Sequence, residues 1–197
     1  MIVVAGLIGY VVGTIPTADW LARARGIDLR QGGSGNPGAN NARQLGGMGL
    51  AAAVLLVEMG KGAGAVIAGN ALAGEAAAIV AGLGAIAGNV YNMWYRFRGG
   101  KGLGIAAGVM LALWPGGLLV LLATIAGGAL LTRSSGKATL IALGMAMAAS
   151  VAWWMWEWDN AWGAPARLLP ALALGTVAMI FPKHLIDARA DAEKAPV

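Results

Sequence analysis

The sequence predicts an all-α polytopic membrane protein: about five to seven membrane helices, some of half length, with glycine-rich polar loops at the cytoplasmic face. Three observations predict it. Of 197 residues, 58% are hydrophobic and only 12% are charged, whereas soluble domains carry about 25% charged residues. Glycine occurs 32 times, far above the usual share of about 7%, as expected where helices approach closely through small side chains in lipid. Long apolar runs alternate with short polar stretches that concentrate the arginines, lysines and asparagines.

Taken in order, Met1 to about Leu21 is long enough to span a bilayer. It shows no clear small-residue cleavage site, so it reads as a retained span and not a removed signal. Pro16, within Gly13-Thr14-Ile15-Pro16, is expected to kink it. Arg23, Arg25 and Arg30 follow at once, and the positive-inside tendency puts that end in the cytoplasm and the N-terminus outside. Residues 33–43 then read GSGNPGANNAR. Here Gly33, Gly35 and Gly38 allow close approach of a ligand to backbone, while Ser34, Asn36, Asn40, Asn41 and Arg43 supply donors suited to an anion.

From Leu50 to Leu72 the chain is apolar again except for Glu58 and Lys61 at i, i+3 spacing. Charges inside a membrane run are expected to be functional; the alternative is a structural ion pair within one helix. Gly60 and Gly62 beside them weaken a continuous helix, which predicts two half-helices meeting near Lys61. Ala76 to about Tyr95 makes the next span, ending in Asn89, Asn92 and the aromatics Tyr91, Trp94 and Tyr95. Gly99-Gly100-Lys101-Gly102 follows, directly before an apolar run. That places backbone N–H groups and a lysine at a helix N-terminus, where an anion is favoured; a basic turn at the lipid headgroups is the plainer reading. The spacing of a nucleotide-binding Walker loop is absent.

Trp114-Pro115-Gly116-Gly117 is expected to divide 103–131 into a short and a longer helix. Residues 132–139 form a third polar loop, with Arg133 and Lys137 as its charges. Leu140 to about Trp156 spans again, and Trp153, Trp154, Trp156, Trp158 and Trp162 read as an interfacial aromatic belt. The last apolar run, 164–186, carries the single histidine, His184, which reads as a side chain snorkelling to the interface. One integral domain over 1–189 and a mobile tail over 190–197 are expected.

The composition also excludes chemistry. Cysteine is absent, so there are no disulfides and no thiolate nucleophile. No cluster has metal-ligand spacing, and the net charge of +5 comes without the basic stripe of a nucleic-acid binder. What remains is a set of anion-binding groups, Ser34, Arg43, Lys61, Lys101 and Arg133, with little general-base strength near them. Such a site works by placing anions and stabilising charge. It suits an already activated donor such as an acyl group on phosphate, where a substrate phosphate can take the proton.

Together these motifs resemble the bacterial membrane glycerol-3-phosphate acyltransferases that use acyl-phosphate, the PlsY type, over most of the chain. Gly13-Thr14-Ile15-Pro16 and Gly26-Ile27-Asp28-Leu29-Arg30 are similar to the family's lead-in segments. Gly33 to Asn41 matches its first motif, G-S-G-N-x-G-A-x-N, at all fixed positions; Glu58 to Gly62 resembles D-x-x-K-G, and 88–102 its third motif. The resemblance implies acyl transfer from acyl-phosphate to the 1-hydroxyl of glycerol 3-phosphate, giving lysophosphatidate and phosphate, with no cofactor and no metal. It implies a multi-pass protein of the bacterial inner (plasma) membrane, surrounded by membrane lipids and with its site facing the cytoplasm.

By the same resemblance the phosphate-holding residues are Ser34, Arg43 and Lys101. Gly33, Gly35, Asn36, Gly38, Asn41, Lys61, Gly62, Gly99, Gly100 and Gly102 would line the substrates, with Glu58 and Asn89 as supports. The chain departs from the pattern in several places. Arg43 arrives one residue early, with Gln44 in the expected position; Asn89 stands for the family's histidine and Asn92 for its proline. Gly136 and Thr139 stand for a pair of serines, and Asp187 for an asparagine three residues after His184. The substitutions at Asn89, Gly136 and Asp187 motivate a second reading, an inactive PlsY-like paralogue serving as a structural or lipid-binding subunit with a membrane-protein partner. A third is a small anion transporter.

Overall fold

The computed structural model describes residues 1–193, with side chains as far as Arg189. Residues 194–197, and with them half of the expected mobile tail, lie outside the described residues; the helix that precedes them extends to Glu193. The described residues are helical, with no strand. They gather into two units, Met1–Ala112 and Leu113–Val197.

The first unit contains α1 (Ile2–Thr14), α2 (Thr17–Arg23), α3 (Ala39–Val90), a 3-10 turn (Met93–Tyr95) and α4 (Leu103–Leu113), whose last residue falls in the second unit. Pro16 does more than kink the first span. The residue before a proline is pushed out of the α region, and Ile15 is extended (φ −61°, ψ 119°), so α1 stops and α2 begins afresh. Helix α3 is interrupted at Gly47 (φ 76°) and at Ala73–Gly74, where Gly74 has φ 74°. These breaks, and not Lys61, divide it. The expectation of half-helices meeting near Lys61 is therefore corrected: Gly60 and Gly62 both sit in regular helix.

The chain reverses at Ala73–Gly74, so residues 75–90 return antiparallel to 48–72. A Cβ on Gly69 would press on the Ala77 carbonyl at 2.6 Å. Helix α1 runs parallel to 75–90, with Gly9 and Gly13 seated on the backbone of Ala81 and Ala85. A side chain at either glycine would overlap a backbone carbonyl, which explains the glycine content here. Without a hydrophobic drive between helices in lipid, close backbone packing supplies the attraction. Helix α4 lies parallel to 48–72, with Gly62 against Ile105 and Gly108 against Met59.

In the second unit, α5 (Pro115–Thr132), α6 (Ser135–Met155), a 3-10 turn (Ala166–Leu168) and α7 (Leu169–Glu193) are all-helical, and Pro115 opens α5. The third polar loop shrinks to Arg133 and Ser134. Ser134 accepts the Lys137 N–H at 3.2 Å and caps α6, so Gly136 to Thr139 are helical and not loop. His184 is buried, 3% exposed, with Nδ1 3.9 Å from Asp187; the snorkelling expectation is corrected. Trp153 packs edge-on between Trp114 and Trp158, while Trp154, Trp156, Trp158 and Trp162 are exposed.

Among the described residues five helices are long and apolar enough to cross a membrane, and α4 is a shorter apolar one. One of the five, Ala39–Tyr95, contains the reversal at Ala73–Gly74. Counting its two arms separately and adding α4 brings the apolar helical segments to seven among the described residues.

Candidate active site

The site forms where the polar loops of the first unit meet. A small, open cleft is lined by Pro37 of the first glycine loop, Gly100 of the second, Asp19, Arg30, and, on its floor, Glu58 and Asn89.

The first loop is shaped by Asn41. Its side-chain amide donates to the Leu29 carbonyl at 2.8 Å and the Gly32 carbonyl at 3.1 Å, while its Oδ1 accepts the Ser34 N–H at 2.9 Å. One buried side chain thus closes the loop. The loop backbone must turn through left-handed geometry at Gly33 (φ 59°) and Gly35 (φ 69°), and any Cβ on Gly33 would overlap Asn41 Oδ1. Gly38 is extended and caps α3, with the Asn36 amide lying over it. Ser34 and Arg43 are exposed, Arg43 on the first turns of α3.

The second loop is held against the end of α3. Gly99 N–H donates to Val90 O at 3.1 Å and Gly100 N–H to Asn89 O at 2.9 Å. Gly99 has no room for a side chain, since a Cβ would overlap the Asn89 carbonyl. Helix α4 starts immediately after, with Ala106 N–H bonded to Gly102 O. Each glycine loop therefore runs straight into the N-terminus of a helix, where unsatisfied N–H groups and the helix dipole favour an anion.

The floor is a fully engaged ion pair. Glu58 Oε1 and Oε2 lie 3.0 and 3.1 Å from Lys61 Nζ, and the two side chains are 9% and 8% exposed. Thr17 Oγ1 donates to Glu58 at 2.7 Å and Asn89 Nδ2 donates at 2.9 Å. Lys61 also donates to the Ile15 carbonyl at 2.7 Å, an acceptor that the break at Pro16 leaves outside the helix ladder. Burying charge is tolerated when each member is paired and hydrogen-bonded, and here three helices supply the partners. Lys61 is accordingly a bolt between α1, α2 and α3, not an open anion donor. Gly62 is likewise buried under α4 and away from the loops.

The structure brings Asn36 and Gly33 to Gly38 into one loop closed by Asn41 at the start of α3, and ties Gly99 and Gly100 of the other to the end of α3 at Val90 and Asn89. Lys101 precedes α4 and is half-buried. Two departures from the family pattern have definite partners. Asn89 links Glu58 to the second loop; Asn92 donates to Thr14 O at 2.8 Å and accepts the Trp94 N–H at 3.0 Å, fastening the end of α3 to α1. In the second unit Gly136 faces the Ala188 backbone, where a Cβ would come within 2.6 Å of its nitrogen. Gly136 is thus required by the packing of α6 on α7. Sequence reasoning passed over Asp19 and Arg30 as site residues; the Arg-rich end of α2 was visible only as a topology signal.

A polytopic helical fold with two glycine loops feeding helix N-termini beside one polar cleft defines a membrane enzyme that handles anionic groups. Known proteins make the class specific. The family model for glycerol-3-phosphate acyltransferase matches residues 3–189. The glycerol-3-phosphate acyltransferase of Ruegeria pomeroyi is 41% identical over 186 residues, 93% of this chain and 86% of that one. That of Bradyrhizobium sp. (strain BTAi1) is 45% identical over 144 residues, 71% of each chain. A crystal structure of PlsY, an integral membrane glycerol 3-phosphate acyltransferase in its glycerol 3-phosphate form, has TM-score 0.79 and 25% identity, covering 95% of this chain and 90% of that one. The chain belongs to the glycerol-3-phosphate acyltransferase family and is a membrane enzyme of phospholipid synthesis.

Proposed function

We propose that this chain moves an acyl group from acyl-phosphate to the 1-hydroxyl of glycerol 3-phosphate, releasing lysophosphatidate and phosphate at the cytoplasmic face of a bacterial inner membrane. The observation that carries the reading is the pairing of two glycine-loop helix N-termini across one cleft whose two buried carboxylates are both already engaged, Glu58 by Lys61, Thr17 and Asn89, and Asp19 by Arg30. Backbone N–H groups with Ser34, Arg43 and Lys101 hold the phosphates. The hydroxyl of glycerol 3-phosphate attacks the acyl carbonyl, the acyl–oxygen bond to phosphate breaks, and the hydroxyl proton passes to a substrate phosphate oxygen. Glu58, engaged as it is, fixes the floor and does not act as the base. Arg23, Arg25 and Arg30, at the end of α2 and in the segment that follows it, support the cytoplasmic orientation.

The subunit reading drew on Asn89, Gly136 and Asp187; Asn89 and Gly136 are each built into the packing described above, which favours a working enzyme. The test offers purified protein acyl-phosphate and labelled glycerol 3-phosphate and follows lysophosphatidate by thin-layer chromatography. Ser34→Ala and Lys101→Ala are expected to lose activity by about 10² or more, as when an oxyanion-type donor is removed. Equal, negligible product from wild type and variants would overturn the proposal, and phosphate flux in proteoliposomes would then favour a transporter.

A further inference from the structure

We propose that Arg30 is a positioning residue that clamps the two glycine loops at a fixed separation, using Asp19 and Tyr95 as its jaws. The inference rests on the acyltransfer reading of the cleft and names a residue that acts on it through the backbone.

Arg30 lies three residues before Gly33, and its own backbone is fixed. Asp28 Oδ1 accepts the Arg30 N–H at 2.9 Å and Gly32 N–H closes onto Asp28 O at 3.1 Å. Through Leu29 and Gly32 the same short segment is bonded to Asn41, which holds the Ser34 N–H. Any displacement of Arg30 is therefore passed to the first loop. At its other end the guanidinium reaches the second loop. Nη1 donates to the Arg98 carbonyl at 3.2 Å, one residue before Gly99, and Cζ sits 3.4 Å from the centroid of the Tyr95 ring. Nε donates to Asp19 at 3.0 Å, with the Asp19 carboxylate only 2% exposed and Arg30 21% exposed.

Three features make this a positioning device and not a substrate cation. The charge of Arg30 is neutralised by Asp19, whose carboxylate would otherwise repel an anion entering the cleft. The planar fork is directed, with Nε toward α2, Nη1 toward 98 and one face on Tyr95, an arrangement that a lysine cannot reproduce. The approach to the second loop is also conformationally costly: Arg96 (φ 51°) and Phe97 (φ 62°) are both left-handed, and non-glycine residues hold that region only when their surroundings enforce it. The Arg98 bond and the Tyr95 stack flank those two residues and hold them there.

The chain has no cysteine, which permits a direct test. Asn40→Cys and Phe97→Cys, both at exposed positions, are spin-labelled in proteoliposomes, and the inter-loop distance distribution is measured in the otherwise native chain, in Arg30→Lys and in Tyr95→Leu. The expected result is a narrow distribution that broadens in both variants. Steady-state kinetics on the unlabelled proteins accompany it. Arg30→Lys keeps the charge opposite Asp19, so its thermal midpoint in detergent stays near that of wild type while kcat/KM for glycerol 3-phosphate falls by up to about a hundred-fold, the scale of a 1 Å misplacement; the exposed Arg25→Gln serves as the control. An unchanged distance distribution in both variants overturns the clamp. So does a broadened one with kcat/KM within twofold of wild type. If Arg30→Lys does not fold, Tyr95→Leu decides by the same two measurements. Should wild type make no lysophosphatidate at all, the acyltransferase reading falls while the distance measurement still decides whether the clamp exists.

Discussion

Two ion pairs meet at the same cleft, one buried and one half-buried, and they do different work. Glu58–Lys61 is local in sequence, at i, i+3 on α3, and every partner it gathers comes from a helix or the break between helices. Asp19–Arg30 joins residues 11 apart, one at the start of α2 and one in irregular chain, and its further contacts are to loop backbone and an aromatic ring. The first pair sets how α1, α2 and α3 assemble; the second sets how two loops face each other. A charge pair enclosed by helices is a stability element, and one that spans loops is a geometry element.

Replacement of one partner should separate the two most widely. Lys61→Met leaves Glu58 buried and uncompensated, so a loss of about 3–5 kcal/mol is expected, read as failure to recover monodisperse protein or as a large fall in the detergent unfolding midpoint. The double variant Glu58→Gln/Lys61→Met removes both charges and should recover most of that loss. If the single variant is as stable as wild type, the floor is not what assembles the helices. At Asp19→Asn the balance reverses. The hydrogen-bond geometry survives without the charge, so stability should fall by no more than about 1.5–3 kcal/mol, the value of a charged hydrogen bond, and initial rates should show a larger proportional loss than the unfolding midpoint does.

Asn89→Ala touches both regions, because it removes a donor from Glu58 and the side chain beneath Gly100. About 1–3 kcal/mol is expected, with a parallel fall in activity; a stability loss without any kinetic change would place Asn89 wholly with the floor. Thr17→Val is the mildest. It deletes one of several donors to Glu58, and a shift of about 1 kcal/mol in chemical unfolding with unaltered KM is expected.

Much of this was legible in the residues. Gly33 to Asn41 announced an irregular polar loop through its glycines and asparagines, and a disturbance of the first span at Pro16 and the division at Trp114–Pro115 follow from proline stereochemistry alone. The half-helix expected at Lys61 was not found, because glycine lowers helix propensity only by about 1 kcal/mol, less than the packing gained when Gly62 lets α4 approach. Thr132 to Thr139 looked like loop on polarity, yet a serine followed by helix formers, as at Ser134, is also an N-cap.

What the sequence determined by itself is the class of environment and the chemistry on offer: membrane helices packed through glycine, two glycine-rich polar loops, no thiol, and a pattern shared with one acyltransferase family. Those properties follow from composition and short-range backbone preferences, which each segment carries alone. Only the tertiary structure decided what each charge does. Lys61 is spent on Ile15 and Glu58, Asn89 supports the floor and the second loop, and Arg30 spans from Asp19 to Arg98. Such assignments depend on hydrogen bonds between residues from 3 to 68 apart in the chain, and directional bonds of that reach exist only once the helices have chosen their neighbours.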